Sequence, residues 1–376
     1  MKKTLVALAA LAVVGAASAQ STVTLFGSID ASVGVRELKQ TGAAGAFGAG
    51  VVASDRGPEV MSGQQNGSRW GMRGSEDLGG GMKANFNLTN GFNIDTANQA
   101  QGGLLFGREA WVGLSGGFGA ITLGRQVTIM ANGPWAITGG YANYDAWSTP
   151  TDNGFFGNPG SIATDAVRKN NSVQYQTPNM GGFTGTVMWA PGENGIAGGT
   201  NNTNYYSLGL GYVNGPIGIQ FAYEKDTLRT GGAAAGAATV GIVAGAIAIV
   251  PGAAATPLVQ RSQNQWALGA SYNFGIATIS GSVLRASLGT VDDRGWAMGL
   301  SAPLGPVSLD FEYARERTTT AGAFTSNADA INFRVNYPLS KRTKVYALVS
   351  DGDSRTAAAA TRQSMSRYMV GMRHVF

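Results

Sequence analysis

The sequence predicts an all-β protein, a 16-stranded antiparallel transmembrane β-barrel. Three observations carry that prediction: apolar residues recur at every second position, the connections come in two lengths, and the strand pattern runs to the last residue. In VSLDFEYARE, Val307, Leu309, Phe311 and Tyr313 share one face, while Ser308, Asp310, Glu312 and Ala314 share the other. Ile331, Phe333, Val335 and Tyr337 oppose Asn332, Arg334 and Asn336 in the same way. Period two marks strands, because successive side chains point to opposite faces of the pleat. In YMVGMRHVF the alternation continues through Tyr368, Val370, Met372, His374 and Phe376, where most soluble domains fray into a polar tail.

Residues 1–19 stand apart. MKKTLVALAALAVVGAASA has two lysines, an apolar run from Leu5 to Ala17 and the small-residue site Ala17-Ser18-Ala19. That is the layout of a secretory signal peptide, which leaves a barrel over 20–376. Alternating segments then fall near 22–36, 68–75, 82–95, 106–115, 119–125, 168–178, 183–190 and 204–213, and near 216–226, 263–274, 276–287, 292–302, 306–317, 329–338, 342–351 and 365–376. Short connections carry turn residues, as in EDLGGG, GGFG, NMGG, NGP and PLGP. Long ones lie near 37–66, 126–167, 191–203, 227–262 and 352–364. Short turns at one end and long loops at the other describe an up-and-down meander. The Ala/Gly-rich stretch 231–257 is read as a long loop or hairpin tip, since Pro251 interrupts it and its apolarity comes from small residues.

Alternation alone does not separate a membrane barrel from a soluble sandwich that buries its apolar faces. The barrel is favoured by polar faces crowded with Asn, Ser, Thr and Gly, by aromatics at strand ends, and by an even number of strands of about ten residues. A closed barrel also accounts for Phe376, because the last strand must pair with the first so that no edge meets lipid.

Composition removes several function classes. Without Lys2 and Lys3 the 27 basic residues fall to 25 against 22 acidic ones, too mild an excess for a nucleic-acid footprint. No cysteine is present, so neither thiol nucleophiles nor Cys/His metal clusters are possible. The single histidine, His374, shares a face with Met372 and Phe376 and reads as an interface residue, not as part of a hydrolytic triad. Glu76-Asp77 and Asp292-Asp293 sit at strand ends as solvated turn acids. No catalytic residue, metal site or cofactor is expected.

A channel needs a constriction and a charge pattern along it. Arg69 and Arg73 alternate with Trp70 and Met72. An arginine facing lipid near the midplane costs roughly 2–4 kcal/mol, so the arginines are expected inside. Lys83 shares a polar face with Asn85, Asn87 and Thr89, and Arg168 has the parity of Asn170, Ser172 and Gln174, so both are expected inside too. For each, a solvated lumen charge and a selectivity role stand as alternatives. The segment 126–167 is too long for a hairpin turn, and Trp135, Tyr141, Tyr144, Trp147, Phe155 and Phe156 give it material to pack with.

VTLFGSIDASVGV, GSRWGMRGSEDLGGGMKA, FGREAWVGLSGGFGAITLGRQ, NNSVQYQTPNMGGF, LGASYNFG, YPLSKRTKVYAL and the final VGMRHVF resemble the Gram-negative general porins of the neisserial and beta-proteobacterial type. The resemblance covers essentially all of 20–376. It implies a trimeric diffusion channel of the outer membrane whose third long loop, here 126–167, folds into the barrel and narrows it. That loop keeps Asp145, Asp152 and Asp165 but lacks the acid-and-glycine motif of enterobacterial porins. The family's constriction arginines correspond to Arg69, Arg108, Arg125 and Arg168. Parity places Arg108 with Ala110 and Val112, and Arg125 with Ile121 and Leu123, so a bulge, a strand end or a subunit contact is needed to turn them inward. Ser28 stands where enterobacterial porins carry a basic residue. The resemblance also makes the last strand, with Tyr368 and Phe376, a signal for the outer-membrane assembly machinery. It gives outer-membrane lipid and lipopolysaccharide as further partners.

The expected function is passive, anion-preferring diffusion of small hydrophilic solutes. A substrate-specific channel for sugars or dicarboxylates, and a non-conducting adhesion or structural barrel, are the rival readings.

Overall fold

The computed structural model describes residues 22–41, 57–133, 167–192, 204–230, 239–243, 246–250, 259–357 and 361–376. In chain order its strands are β1 (Thr22–Thr41), β2 (Pro58–Ser62), β3 (Arg69–Gly79), β4 (Met82–Gly91), β5 (Glu109–Gly116), β6 (Gly119–Val127), β7 (Arg168–Gln176), β8 (Phe183–Ala190), β9 (Asn204–Asn214) and β10 (Ile217–Thr230). There follow β11 (Thr239–Val243), β12 (Ala246–Val250), β13 (Val259–Asn273), β14 (Thr278–Leu288), β15 (Val291–Leu304), β16 (Val307–Thr320), β17 (Ala323–Pro338), β18 (Thr343–Thr356) and β19 (Thr361–Val375). Among the described residues one short α-helix, α1 (Ile129–Asn132), follows β6.

Sixteen strands, β1, β3–β10 and β13–β19, each pair antiparallel with their chain neighbours, and β1 pairs with β19 to close the sheet. The seam runs in register from Ser28↔Val375 to Thr41↔Arg362. Phe376 completes it: its N–H donates to the Gly27 carbonyl at 3.0 Å, and the Gly27 N–H donates to the Phe376 carbonyl at 2.9 Å. The barrel strands correspond one for one to the segments read from sequence.

The two faces are inverted relative to a soluble sheet. Residues paired in register share a face. On β1 and β3, Val23, Leu25 and Met72 point out, and Ser28, Asp30 and Ser32 are buried on the inner side. On β16 and β17, Phe311, Ile331 and Phe333 are exposed, while Asp310, Glu312, Asn332 and Arg334 are buried. A sheet in water does the reverse, so this outer surface is made for hydrocarbon. Aromatics cluster toward the short-turn end, with Phe183 against Tyr212 at 4.4 Å and Tyr272 against Phe274 at 4.5 Å between ring centroids. There too His374 stacks on Phe376 at 6.5 Å, on the outside of β19.

Three features depart from the sequence reading. β2 lies inside the segment read as a loop at 37–66 and pairs with β1 from Ala31↔Ser62 to Val35↔Pro58. The strands run further at the long-loop end than predicted; β17 begins at Ala323, not near 329, and β18 reaches Thr356. Past the lipid both faces meet water, so the apolar period stops although the backbone ladder continues. For the same reason two connections at that end are two-residue turns, Gly289-Thr290 and Ala321-Gly322, the second with both φ positive (51° and 81°) as a tight hairpin requires. Within 231–257 the described residues form the hairpin β11–β12.

A β-carbon on Gly27 would lie 2.3 Å from Phe376 Cζ and 2.8 Å from the Arg69 carbonyl oxygen. Gly27→Val should therefore displace Phe376 from the seam. The expected result is a sharp fall in heat-modifiable, folded barrel on gel electrophoresis, with wild-type yield counting against the role of this contact. A second prediction concerns the rim above the apolar band, where burial and the neighbouring Asp293 carboxyl push the Glu316 pKa well above its ordinary 4.5. A carboxyl that holds its proton more tightly when folded stabilises the protein at low pH, and loses that contribution as pH rises through the folded pKa. Urea-unfolding midpoints should fall above pH 4.5 in the wild type and fall less in Glu316→Gln.

Candidate functional site

The wall between β1 and β7 gathers four of the predicted arginines around two pieces of irregular backbone. The first piece is residues 63–68, which leave the ladder between β2 and β3. Asp30, fully buried, holds them: its Oδ2 accepts from the N–H of Gln65 at 3.0 Å and of Asn66 at 2.7 Å. Its Oδ1 accepts from Tyr346 Oη at 2.7 Å. Gln65 Nε2 donates to Asn336 Oδ1 at 2.5 Å, and Arg367 Nη1 donates to Gln64 Oε1 at 3.0 Å. Asp30, Asn336, Tyr346 and Arg367 all belong to the inner face, so this segment is strapped to the inside of the wall. Sequence reading treated it as part of a loop; the polar run GQQNGS between VMS and RWGM was the available signal.

The strap presents Asn66 and Gly67 to the arginines. Arg69 Nη1 donates to Asn66 Oδ1 and, at 3.2 Å, to the Gly67 carbonyl. Arg108 Nη1 comes so near Gly67 that a β-carbon there would lie 3.2 Å from it. The second piece is the approach to β5. Arg125 Nε donates to the Gly107 carbonyl at 2.8 Å, and Arg168 Nε donates to the Arg108 carbonyl at 2.9 Å. Arg125 Nη1 also donates to Asn170 Oδ1 at 2.5 Å. Arg69, Arg108, Arg125 and Arg168 thus form one group.

The parity conflict at Arg108 and Arg125 has a local origin. Arg108 precedes β5, so strand alternation does not govern it. Arg125 borders an irregularity between β6 and β7, where Gly124 pairs with Ser172 but Gln126 pairs with Lys169. Asn171, at φ 53°, takes up the extra residue. The same bulge breaks the parity argument for Arg168 and brings Lys169 level with Gln126 in the inner row. Sequence reading missed Lys169. It is buried, with Nζ 2.5 Å from Asp226 Oδ2 and 5.0 Å from the centre of the Tyr205 ring.

Arg73 and Lys83 do not join the group. Arg73 lies over the Phe26 ring at 5.0 Å, nearer the short-turn end, and Lys83 pairs in register with Asp77 and Ser115 beside the turn. Asp145, Asp152 and Asp165 lie outside the described residues. Of the segment 126–167, the described part begins inside the barrel. Met130 N–H donates to Glu224 Oε1 at 3.0 Å, and Gln265 Nε2 donates to Glu224 Oε2 at 2.5 Å. The Ile129 side chain covers Gly209, where a β-carbon would lie 2.3 Å from Ile129 Cγ2. Helix α1 is thereby anchored on the inner face of β9 and β10.

A family model described as Gram-negative porin matches residues 4–357. The chain belongs to that family. This porin is 31% identical to outer membrane porin protein 32 of Delftia acidovorans over the full length of both chains. It is 36% identical to major outer membrane protein P.IB of Neisseria gonorrhoeae over 59% of this chain and 56% of that one. Among solved structures it is similar to an anion-selective porin from Comamonas acidovorans, with a TM-score of 0.67 and 25% identity over 95% of this chain and 100% of that one. The trimer form of OmpT from Vibrio cholerae shares the fold, with a TM-score of 0.64 and 14% identity over 95% of this chain and 99% of that one. The porin is a β-barrel channel of the outer membrane.

Removing Asp226 from the Lys169 pair leaves a buried ammonium without its counter-charge, at a cost of about 3–5 kcal/mol. Asp226→Asn should lower the urea-unfolding free energy of the reconstituted porin by that order. Lys169→Met/Asp226→Leu should recover most of the loss; equal instability in the double variant would mean the ion pair is not what is lost.

Proposed function

We propose that the porin passes small hydrophilic solutes passively and prefers anions, with Arg69, Arg108, Arg125 and Arg168 as its selectivity element. The observation that carries this reading is the mutual placement of the four arginines around Gly67, Gly107 and Arg108. A carbonyl oxygen holds a guanidinium in position without cancelling its charge. Fixed cations beside a narrow aqueous path raise the local concentration of anions, and weak, distributed binding lets them leave. Arg73 and Lys83 extend the positive lining toward the short-turn end.

In this reading the segment 126–167 continues inward from its anchor on Glu224 and narrows the path, with Asp145, Asp152 and Asp165 as its acids. Residues 1–19 are a cleaved export signal, and β19 with Tyr368 and Phe376 is recognised by the assembly machinery. The working unit is a homotrimer, in keeping with the trimer form of its fold relative. Transport needs no cofactor and no chemistry on the solute.

Single-channel conductance and reversal potential in a salt gradient test this directly. Conductance should rise in threes with an anion-selective potential. A fixed charge about 8 Å from the permeating ion contributes about 0.5 kcal/mol in water-like surroundings. Each of Arg69→Gln, Arg108→Gln and Arg168→Gln should therefore cut the anion-to-cation permeability ratio about fivefold, because the lost charge attracts anions and repels cations by the same amount. A cation preference in the wild type would overturn the proposal.

A further inference from the structure

Two cations of the inner wall outside the arginine group stand together with no carboxylate in contact. Lys344 is the second residue of β18, and Arg373 lies two residues from the end of β19. They are directly opposite each other across those strands. Arg373 is also opposite the buried Asp30, so both side chains share the inner face. Like charges in register repel, and a sheet normally avoids them. Both side chains are half-buried, which strengthens the repulsion.

The carboxylates of this part of the wall are already engaged. Asp310 Oδ2 accepts from Arg334 Nε and Nη2, each at 3.2 Å, and from Asn336 Nδ2 at 2.7 Å; its Oδ1 accepts from Ser301 Oγ at 2.8 Å. Asp30 is taken up by Gln65, Asn66 and Tyr346. Among the described residues Lys344 Nζ has neither a hydrogen-bond partner nor an ion pair. Arg373 has one partner there, its Nε donating to Ser28 Oγ at 3.1 Å. Of the five N–H groups of a guanidinium, the four at its Nη end are left for another acceptor.

Ser28 links this pair to the arginine group. It is opposite Arg69 across β1 and β3, so Arg69 and Arg373 approach it from two sides. Ser28 itself carries no charge, and Arg373 brings a guanidinium to it from β19. On the other side, Lys341 and Arg342 are exposed in the turn that joins β17 to β18. Cations therefore continue from the arginine group through Arg373 and Lys344 to the short-turn mouth.

We propose that Arg373 and Lys344 form a binding station for a small oxyanion of phosphate size, between the arginine group and the short-turn mouth. The Nη end of Arg373 meets two oxygens of the anion in parallel, and Ser28 holds the fork in place from its Nε side. The Lys344 ammonium, a compact charge with three donors, takes a third oxygen. Residues opposite each other in a sheet have β-carbons about 5 Å apart, so one small anion reaches both side chains. Chloride has no paired oxygens and meets the charge alone. The station rests on the anion-preferring reading of the pore, and it adds a discrimination among anions that an excess of charge does not supply.

The test is chloride current through the full-length folded porin in planar bilayers as inorganic phosphate is added at constant ionic strength. Isothermal titration calorimetry on the same preparations in detergent follows phosphate binding independently of current. In the wild type the current should fall saturably. Arg373→Gln and Lys344→Gln should each raise the half-blocking phosphate concentration about tenfold, as loss of charge-assisted hydrogen bonds implies. Arg373→Lys, which keeps the charge and loses the fork, should raise it about threefold. Lys83→Gln, which removes a cation elsewhere in the lumen, should change it less than about twofold. Lys344 lies outside the terminal strand, so its variant decides the matter should Arg373→Gln fail to assemble. Block without saturation, a half-blocking concentration that neither glutamine variant moves, or an equal rise in Lys83→Gln would each overturn the station. Reversal potential in potassium chloride alone reads the anion preference separately. An anion-selective pore without saturable phosphate block sinks the station and leaves the channel reading standing. A cation-selective pore that still binds phosphate through Arg373 and Lys344 in calorimetry does the opposite.

Discussion

Hydrocarbon offers no partner to a backbone N–H or C=O, and the rest of this structure follows from that constraint. Every strand that faces lipid must be paired on both edges, so the sheet has to close. β1 meets β19 over one stretch and β3 over another, with Ser28 belonging to both. Where the chain leaves the ladder between β2 and β3, substitutes complete it. The Gly63 N–H donates to the Asp30 carbonyl at 2.9 Å, and the Asp30 N–H donates to Ser68 Oγ at 3.0 Å. The strap at 63–68 is therefore an excursion that leaves no bare backbone behind.

Closure decides where charge can go. An apolar exterior over the width of the bilayer leaves the inner wall and the two rims. On the inner wall the cations are held in two ways. Lys169 against Asp226 and Arg334 against Asp310, at 3.2 Å, are buried pairs whose charges offset each other, the first reaching from β7 to β10 and the second joining the adjacent β16 and β17. The group of Arg69, Arg125 and Arg168 leans on carbonyl and amide oxygens, which orient a guanidinium while its field persists. The first arrangement makes a wall; the second makes a potential. Rim cations answer to a third environment, beyond the apolar band, where an outward arginine costs little.

Much of this was legible in the sequence because period two is a direct consequence of the pleat. Wherever one face met lipid, as in Leu309, Phe311 and Tyr313, the alternation located the strand and gave the direction of its side chains. It failed in two kinds of place. Beyond the lipid, TTTAGAFTSNA continues β16 and β17 with no apolar partner to reveal it, since both faces are wet. At irregularities, counting by twos loses its reference. Asn171 shifts the inner row from Arg168 parity to Lys169, and Arg108 lies just before alternation begins. Parity singled out Arg69 and Arg168, and family likeness added Arg108 and Arg125. The strap was missed altogether, because GQQNGS has loop composition and its inward attachment depends on Asn336 and Arg367, far away in the chain.

The places where alternation fails are also where Arg69, Arg108, Arg125 and Arg168 gather. A regular strand can offer an inward side chain only every second residue, at heights set by the pleat. Beside these arginines the wall breaks its own period three times: the strap before Arg69, the strand end at Arg108, and the bulge between Arg125 and Arg168. The first two breaks offer the carbonyl oxygens of Gly67, Gly107 and Arg108 to the arginines, and at the bulge Arg125 meets Asn170 Oδ1. The irregular backbone and the charge group are thus one feature, with the broken ladder supplying both the room for the cations and the acceptors that hold them.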